Sequence, residues 1–332
     1  MGDIIHAMVA LQFIKQKFPD AKIDWIVEEG FAQILRDNPD INQVLTLNLK
    51  SIKNSFFNIF GQIRQVLIYS RNDYDFVIDA QGLAKSAIVA YFLGKNRIGF
   101  DSNSIRESIA SFFYTKKVSM RYEENVILRN IKVICEPLGI LIGRDQLEAK
   151  KPFLFFADKN FAECLDRDKK NILLVLGASK PNKIYPKENF AKIIENLDAN
   201  FICVWANNFE KEAADYLSQN FQNAITCSKL SLDSLKSLIS KVDLVIGGDT
   251  GPTHMAWGLN IASICIFGNT PHNRNTFVGP KNLVVKSSSE VNALKLDKKD
   301  FSIAKIDPNE IIKLAKKVLD ECQNRILCVQ NF

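Results

Sequence analysis

The sequence has little of what marks several large classes of protein. No apolar run reaches the roughly 18 residues that a membrane-spanning helix needs, and no signal-peptide pattern opens the chain. The seven cysteines are scattered without a CxxC pair, and the three histidines are His6, His254 and His272. We therefore expect buried free thiols, no metal centre and a cytoplasmic location.

Acidic residues are missing from one long stretch. Between Asp40 and Asp73 there is no Asp or Glu, although the net charge of the whole chain is only +6. The basic residues of this stretch are Lys50, Lys53, Arg64 and Arg71. The imbalance favours an anionic partner such as a phosphate, a sugar acid or an anionic lipid. A solvated basic helix face is the plainer alternative.

What is present is typical of a large α/β protein. Of the 332 residues, 47% are hydrophobic and 24% are charged, which suits a soluble globular chain of about two domains. Short apolar runs alternate with helical patterns, so the sequence predicts parallel sheets covered on both faces. A polar break at residues 143–152 divides the pattern. We predict two Rossmann-like domains facing a cleft, over 1–150 and 151–310, and a closing helix over 311–332.

One predicted helix, "SFFNIFGQIRQVLIYSR", lies within the acid-free stretch. Its apolar residues include Phe56, Phe57, Phe60, Ile63 and Leu67, at helical spacing. This apolar face has two interpretations, of which core packing is the commoner. The other is that it rests near a membrane.

The segment "DLVIGGDTGPTHMAWGLN", residues 243–260, carries the sharpest chemical signal. A buried strand ends at a Gly-Gly pair, Asp249-Thr250-Gly251 makes the turn, and Pro252 opens the following helix. The free N–H groups and the dipole of a helix N-terminus favour a bound anion, so the segment predicts a diphosphate site. Ordinary capping beside a packed His254 is the alternative.

Two further loops follow predicted strands. "VLGASKPNKIYPKENF" places Ser179 and Lys183 at the carboxyl edge of the sheet, where open α/β folds bind ligands. "VWANNFEKEA" places Glu210 at the start of a helix, where it could accept hydrogen bonds from a ribose or simply favour the helix terminus. A solvated loop lysine is the alternative for Lys183.

The chain begins "MGDIIHAM", with a Gly-Asp pair directly before a helical pattern. The pair normally closes a strand, and a carboxylate at that position, Asp3, can take a proton from a hydroxyl nucleophile. A helix cap is the commoner use of such an aspartate. We expect that the first strand of the N-terminal sheet is absent from this sequence, with Met1 an internal methionine.

Six segments together resemble glycosyltransferase family 9, the heptosyltransferases of the GT-B fold, over residues 1 to about 285. They are "MGDIIHAMVAL", "DWIVEEGFAQIL", "VIDAQGLAKSA", "RESIASFFY", "KIYPKENFAKII" and "GGDTGPTHMAWGL". The "DTGPTH" motif is typical of the family as a whole. The segments "VEEGFAQI" and "DAQGLAKSA" favour its type I members.

The resemblance implies transfer of L-glycero-D-manno-heptose from ADP-heptose to Kdo of the lipid A-linked inner core, with inversion and without a metal or cofactor. It implies that Asp3 is the general base and that Lys183 stabilises the leaving diphosphate. The implied nucleotide-sugar contacts are Ala178, Ser179, Lys183, Glu210, Leu230, Asp249, Thr250, Gly251 and His254. The family often has Thr-Thr where this chain has Ala178-Ser179, so one hydroxyl contact is lost here. It often has Met where this chain has Leu230.

The resemblance also implies partners. We expect an anionic acceptor, Kdo-lipid A, and a peripheral contact with the cytoplasmic face of the anionic inner membrane, for a monomer that binds no nucleic acid. The expected acceptor-binding residues are Lys50, Lys53, Arg64, Lys85 and Arg106.

Three alternatives remain at this point. The chain could be a type II heptosyltransferase or another member of the family. It could be a catalytically silent nucleotide-binding protein. A nicotinamide-dependent oxidoreductase would share the Rossmann-like halves, but no GxGxxG follows any strand here.

Overall fold

A computed structural model of the protein describes residues 1–53 and 57–329, with side chains for all of these except 52, 53 and 321–329. The chain forms two compact units that divide after Phe155. The short helix Arg144–Glu148 belongs to the first unit.

The first unit contains two small parallel sheets. One pairs β1 (Asp24–Glu28) with β2 (Gln43–Leu47), and the other orders β3 (Val77–Ile78), β4 (Arg97–Phe100) and β5 (Lys116–Val118). Its helices are α1 (Gly2–Met8), α2 (Ala10–Lys17), α3 (Asn58–Tyr69), α4 (Ala84–Leu93), α5 (Val126–Cys135) and α6 (Arg144–Glu148). Short 3-10 helices span Glu29–Ile34, Leu49–Lys53, Ser70–Asn72, Ser108–Phe113 and Glu136–Leu138.

Helix α3 is apolar on two faces, and only one of them is covered. Val66 and Tyr69 pack into a cluster with Leu47 and Leu93. The opposite face is exposed, with Phe57, Phe60, Ile63 and Leu67 between 43% and 80% accessible. Core packing is therefore wrong for Phe57 and Phe60, because the helix has more apolar side chains than its sheet can cover. Phe56 lies outside the described residues.

The second unit is built on one sheet of six parallel strands, in the order β11-β10-β9-β6-β7-β8. The strands are β6 (Asn171–Val175), β7 (Asn200–Val204), β8 (Ala224–Thr226), β9 (Leu244–Gly248), β10 (Ala262–Phe267) and β11 (Asn282–Lys286). Every residue of β6, β7, β9 and β10 is buried, which explains why these segments are continuous apolar runs.

Helices α7 (Lys187–Glu195), α8 (Asn208–Asn220), α9 (Leu232–Ile239), α10 (Gly251–Gly258), α11 (His272–Asn275) and α12 (Pro308–Val329) complete this unit, with 3-10 helices over Pro181–Lys183 and Ser302–Lys305. The predicted α/β class with parallel sheets is confirmed.

The cysteines agree with the prediction as far as they are described. The five whose side chains the structure describes, Cys135, Cys164, Cys203, Cys227 and Cys265, are free and buried. Among the described residues, we find no helix with the length and apolarity to span a bilayer.

Candidate functional site

The order of strands in the second unit defines where a ligand would bind. From β6 the chain continues outward through β7 and β8, and then returns to β9 on the other side of β6. At such a reversal the loops after the two central strands separate and leave a crevice at the carboxyl edge of the sheet. The loop after β6 contains Ala178, Ser179 and Lys183, and β9 is followed by Asp249 and Thr250.

Helix α10 begins in this crevice, and its N-terminus is open. Thr250 occupies the N-cap position but makes no capping hydrogen bond, and its Oγ1 is a buried atom without a hydrogen-bond partner. Neighbouring helices differ, because Asn207 caps α8 and Ser231 caps α9. The structure starts α10 at Gly251, so Pro252 is the second helical residue, not the first. An open terminus beside a buried hydroxyl suits an anionic group.

The carboxylate of Asp249 is the centre of a polar cluster. Its Oδ2 accepts hydrogen bonds from Lys183 Nζ at 2.9 Å, Thr270 Oγ1 at 3.0 Å and Asn275 Nδ2 at 3.0 Å. Its Oδ1 lies 3.1 Å from His254 Nε2. Burial would raise the pKa of this carboxyl, but the hydrogen bond from His254 and the charge of Lys183 outweigh it and hold the pKa far below its usual range. Asp249 is therefore ionised and fully engaged by protein groups.

Lys183 is brought to the start of α10 by close backbone packing. Its side chain is 18% exposed, and it ends the 3-10 helix Pro181–Lys183. A Cβ on Gly248 would lie 3.0 Å from the backbone oxygen of Lys183, so the glycine at the end of β9 lets the two loops approach. The solvated-loop alternative for Lys183 is therefore wrong, since its ammonium is mostly shielded and paired with Asp249.

Glu210 lies in the first turn of α8, the helix after β7, as part of a helix cap. Its carboxylate accepts from the backbone N–H of Ala206 and from Asn207 Nδ2, each at 2.7 Å, while Asn207 caps the Glu210 N–H. A Cβ at Gly177 would collide with the Glu210 side chain, so this glycine admits the carboxylate beside the loop after β6. These contacts support the interpretation of Glu210 as a helix-capping residue. A contact between Glu210 and a ribose stays a prediction.

The remaining predicted nucleotide contacts lie in loops at the same edge of the sheet. Ala178 is half-buried and Ser179 is exposed in the loop after β6, while Leu230 is half-buried in the loop between β8 and α9. Trp205, at the end of β7, donates from Nε1 to the carbonyl of Cys227 at 2.7 Å, which ties the β7 and β8 ends together.

A cavity of about 450 Å³ opens at the carboxyl ends of β10 and β11. Its polar lining includes Thr270, His272, Asn273, Lys286, Ser288 and Ser289. Burial and the nearby Lys286 charge lower the pKa of His272, so this imidazole is neutral at pH 7. Thr270 contacts Asp249 and also lines the cavity.

The other predicted site residues belong to the first unit. Asp3 is exposed in the first turn of α1, where a carboxylate also stabilises the helix dipole. Lys50, Arg64, Lys85 and Arg106 are all exposed. The side chain of Lys53 lies outside the described residues. Arg64 is on α3 and Lys85 is on α4, and these two helices contact each other.

Sequence reasoning missed Thr270 and Asn275. They lie 21 and 26 residues beyond Asp249, in a polar segment after β10. One signal was available. That segment, "GNTPHNRNT", follows a buried run directly, and the carboxyl ends of neighbouring parallel strands meet at one edge of the sheet.

These features define an α/β protein whose second unit brings an uncapped helix terminus and a lysine together at the carboxyl edge of a parallel sheet. The chain belongs to glycosyltransferase family 9 (heptosyltransferase), whose family model matches residues 64–303. It is 36% identical to lipopolysaccharide heptosyltransferase 1 of Campylobacter coli, with 97% of each chain covered. It is 28% identical to the enzyme of the same name from Escherichia coli K12, with 81% of this chain and 85% of that one covered.

Solved structures agree on the fold. The Escherichia coli heptosyltransferase WaaC with ADP matches with a TM-score of 0.79 and 23% identity, over 96% of this chain and 97% of that one. Escherichia coli ADP-heptose LPS heptosyltransferase II matches with a TM-score of 0.70 and 17% identity, over 97% and 96%. The GT-B fold expected from the resemblance is confirmed.

Proposed function

We propose that the protein transfers L-glycero-D-manno-heptose from ADP-heptose to Kdo of the lipid A-linked inner core, inverting the anomeric centre. The observation that carries the proposal is the open N-terminus of α10 beside Lys183, at the strand reversal of the second unit. Relatives named lipopolysaccharide heptosyltransferase 1 support the choice of sugar and acceptor. A solved relative bound to ADP supports the choice of nucleotide.

The ADP-sugar binds at the carboxyl edge of the six-stranded sheet. The diphosphate meets the N–H of Gly251, the Thr250 hydroxyl and the Lys183 ammonium, which together offset its charge. Asp249 and His254 contribute by holding this cluster, because Asp249 is already bound by Lys183 and His254. The nucleoside lies along the loops that contain Ala178, Ser179, Glu210 and Leu230. The cavity beside Thr270 provides room for the sugar.

The reaction is a single displacement at the anomeric carbon. Asp3 takes the proton of the attacking Kdo hydroxyl, the new glycosidic bond forms, and the bond to the diphosphate breaks with its electrons left on ADP. Charge grows on the leaving phosphate as this bond breaks. Lys183 and the terminus of α10 stabilise that charge in place, without reorganisation during the step.

Turnover of ADP-heptose with a Kdo-lipid A acceptor tests the function directly. General-base catalysis contributes about 10²–10⁴-fold, so we expect Asp3→Asn to lower kcat at least about 100-fold. ADP affinity should stay unchanged, because the nucleotide contacts are in the second unit. Asp20→Asn, which neutralises another exposed aspartate of the first unit, is the matched control. An unmodified protein that does not consume ADP-heptose rejects the function, and an active Asp3→Asn variant rejects only the base.

The acceptor is anionic, and the first unit offers it a basic surface. The proposed contacts are Lys50, Lys53, Arg64, Lys85 and Arg106. Helix α3 contains no acidic residue and presents Arg64 on the same exposed face as Phe60, Ile63 and Leu67. The exposed Arg71 follows in the 3-10 helix Ser70–Asn72. Basic and apolar side chains interleaved on one helix face are typical of a helix that lies on an anionic membrane. We infer that this face contacts the cytoplasmic surface of the inner membrane while the protein acts as a monomer.

A further inference from the structure

The Asp249 cluster contains two neutral donors for which the proposed chemistry has no direct use. Thr270 Oγ1 and Asn275 Nδ2 both donate to Oδ2, the same oxygen that binds the Lys183 ammonium. Thr270 and Asn275 are held after β10, the neighbour of β9 in the sheet, so they reach Asp249 from outside its own loop. Three donors on one oxygen fix the position of that oxygen in all directions.

The orientation of the Asn275 amide is itself determined. Its Oδ1 accepts a hydrogen bond from Arg274 Nη1 at 3.2 Å, and an amide that receives a guanidinium on its oxygen presents its NH₂ on the other side. Asn275 therefore meets Asp249 only as a donor. A donor at that position favours the ionised carboxylate and would be poorly replaced by an acceptor.

Sharing Oδ2 has a consequence for the lysine. An ionised carboxylate has about two lone-pair sites on each oxygen, so an oxygen that already accepts two neutral hydrogen bonds attracts a third partner less strongly than a bare oxygen would. The Lys183 ammonium is thus held in place by Asp249 but can still attract a second anion electrostatically. That balance matters most when charge develops on a leaving phosphate, since only interactions that strengthen in the transition state raise the rate.

We propose that Thr270 and Asn275 are positioning residues, which hold Asp249 so that Lys183 is aimed at the leaving phosphate beside the start of α10. This inference rests on the proposed transferase function. The atoms of Thr270 and Asn275 that bind Asp249 do not have to contact the substrate. These residues act by fixing the direction of the Lys183 ammonium and by leaving its charge available to the phosphate.

Kinetics of Thr270 variants test the inference. Thr270→Val removes the hydroxyl at nearly constant volume, and Thr270→Ser retains it. We expect Thr270→Val to lower kcat about tenfold, which corresponds to one misplaced charge-assisted hydrogen bond, and to leave the Kd of ADP within about threefold. Thr270→Ser should recover most of the rate. Thr226→Val, which removes a hydroxyl from edge strand β8 where it bonds Ser218, is the matched control and should behave like the unmodified protein.

The split between turnover and the pH profile gives a readout that a purely structural role would not change. The charged or titratable groups around Asp249 are Lys183, His254 and the buried Cys265. His254 and Lys183 hold the pKa of Asp249 far below its usual range, so Asp249 stays ionised at assay pH even when one neutral donor is lost. The acidic limb of the kcat/KM profile, which reports the general base, should therefore stay in place while kcat falls in Thr270→Val and Asn275→Leu.

Each outcome decides the inference. Full rate in both Thr270→Val and Asn275→Leu overturns it. Equal losses in Thr270→Val and Thr270→Ser also overturn it, because packing rather than the hydroxyl would then be responsible. A loss confined to ADP affinity shows ligand binding instead of positioning. If Thr270→Val does not fold, as judged by circular dichroism, Asn275→Leu carries the test. An unmodified protein without ADP-heptose turnover overturns both the function and the inference, whereas normal turnover in it isolates a failure of the inference alone.

Discussion

At the scale of single residues, the candidate site depends on an ionised carboxylate whose charge is offset by neighbouring side chains. Asp249 lies in the turn between β9 and α10, where a ligand contact would be expected, yet four side chains already bind it. Its negative charge fixes two cations, Lys183 and, when protonated, His254. Asp249 therefore contributes to the site by positioning Lys183 and His254.

Replacing the lysine tests this arrangement. In Lys183→Ala the diphosphate loses a charge-assisted hydrogen bond, worth about 1.5–3 kcal/mol, so the Kd of ADP should rise about 10- to 100-fold. Turnover should fall further, because the same charge stabilises the leaving group. Lys180→Ala removes an exposed lysine from the same loop and should change neither quantity. Titration calorimetry with ADP makes the measurement, and unchanged affinity in Lys183→Ala would place the phosphate elsewhere.

The depressed pKa of Asp249 predicts how stability depends on pH. An unfolded aspartate has a pKa of about 3.9, and the folded value lies far below it. The contribution of Asp249 to stability is thus complete above the unfolded pKa and is lost as the pH falls toward the folded one. Below about pH 4 this group alone should lower the free energy of unfolding by up to about 1.4 kcal/mol per pH unit.

Urea unfolding between pH 5 and pH 3 measures this dependence. Asp249→Asn keeps the shape of the side chain but cannot titrate, so its unfolding free energy should decline less steeply with falling pH than that of the unmodified protein. Asp198→Asn, which changes an exposed carboxylate with 90% side-chain accessibility, is the control and should keep the original slope. Parallel curves for Asp249→Asn and the unmodified protein would contradict the assigned shift.

At the scale of elements, α3 and α10 each leave something uncovered. Helix α10 has an uncapped terminus. Helix α3 has an uncovered apolar face. Exposed apolar side chains also lie on α4, which contacts α3, and on the 3-10 helix Ser108–Phe113, which contacts α4. Exposed apolar side chains on one helix face, with a basic residue among them, indicate an interaction surface.

Vesicle binding tests the α3 face. We expect the protein to sediment with vesicles that contain phosphatidylglycerol more than with pure phosphatidylcholine, and the difference to shrink as salt is raised. Phe60→Ser with Leu67→Ser removes two side chains whose burial is worth about 1.5–3 kcal/mol each, so binding should weaken at least about tenfold.

Phe209→Ser is the matched control, since Phe209 is 60% exposed on the second unit. Equal sedimentation of the double variant and the unmodified protein would exclude this face. A dimer that the double variant converts to a monomer, as seen by light scattering, would make the face a self-association surface and also contradict the proposal.

At the scale of the whole molecule, the sequence predicts the second unit better than the first. Its four central strands β6, β7, β9 and β10 are buried on both faces, so each is a clean apolar run, and the turn after β9 is recognisable from its glycines and proline. In the first unit, β3 is only two residues long. The segment after β1 forms a 3-10 helix, because Gly30 and the Pro39 that follows leave few residues to propagate an α-helix.

Two aspects of the site could not be predicted in this way. Periodicity identifies α3 as a helix, but with apolar residues around most of its circumference it does not show which face the sheet covers. The donors Thr270 and Asn275 meet Asp249 only because β10 lies next to β9 in the sheet. Local sequence patterns do not show which strands are neighbours.

The division into two units predicts which segments a bound nucleotide protects from hydrogen exchange. ADP at a concentration of about 100 Kd should stabilise the state that binds it by about 2.7 kcal/mol. In hydrogen exchange of the full chain, we expect slower exchange in the loops after β6, β7, β9 and β10, with the helices of the first unit unchanged. Adenosine, which lacks the phosphates, should give no protection at the start of α10. Protection that is equal in both units would contradict this assignment.

The full engagement of Asp249 has a practical consequence for inhibitor design. Carboxylates in enzyme pockets commonly invite a basic group on a drug candidate, but here both oxygens are already taken by Lys183, His254, Thr270 and Asn275. An amine aimed at this carboxylate would have to displace the lysine and would gain nothing net. Compounds with an acidic or sulfonyl group directed at the start of α10 would instead exploit the one part of the cluster that the protein leaves unsatisfied.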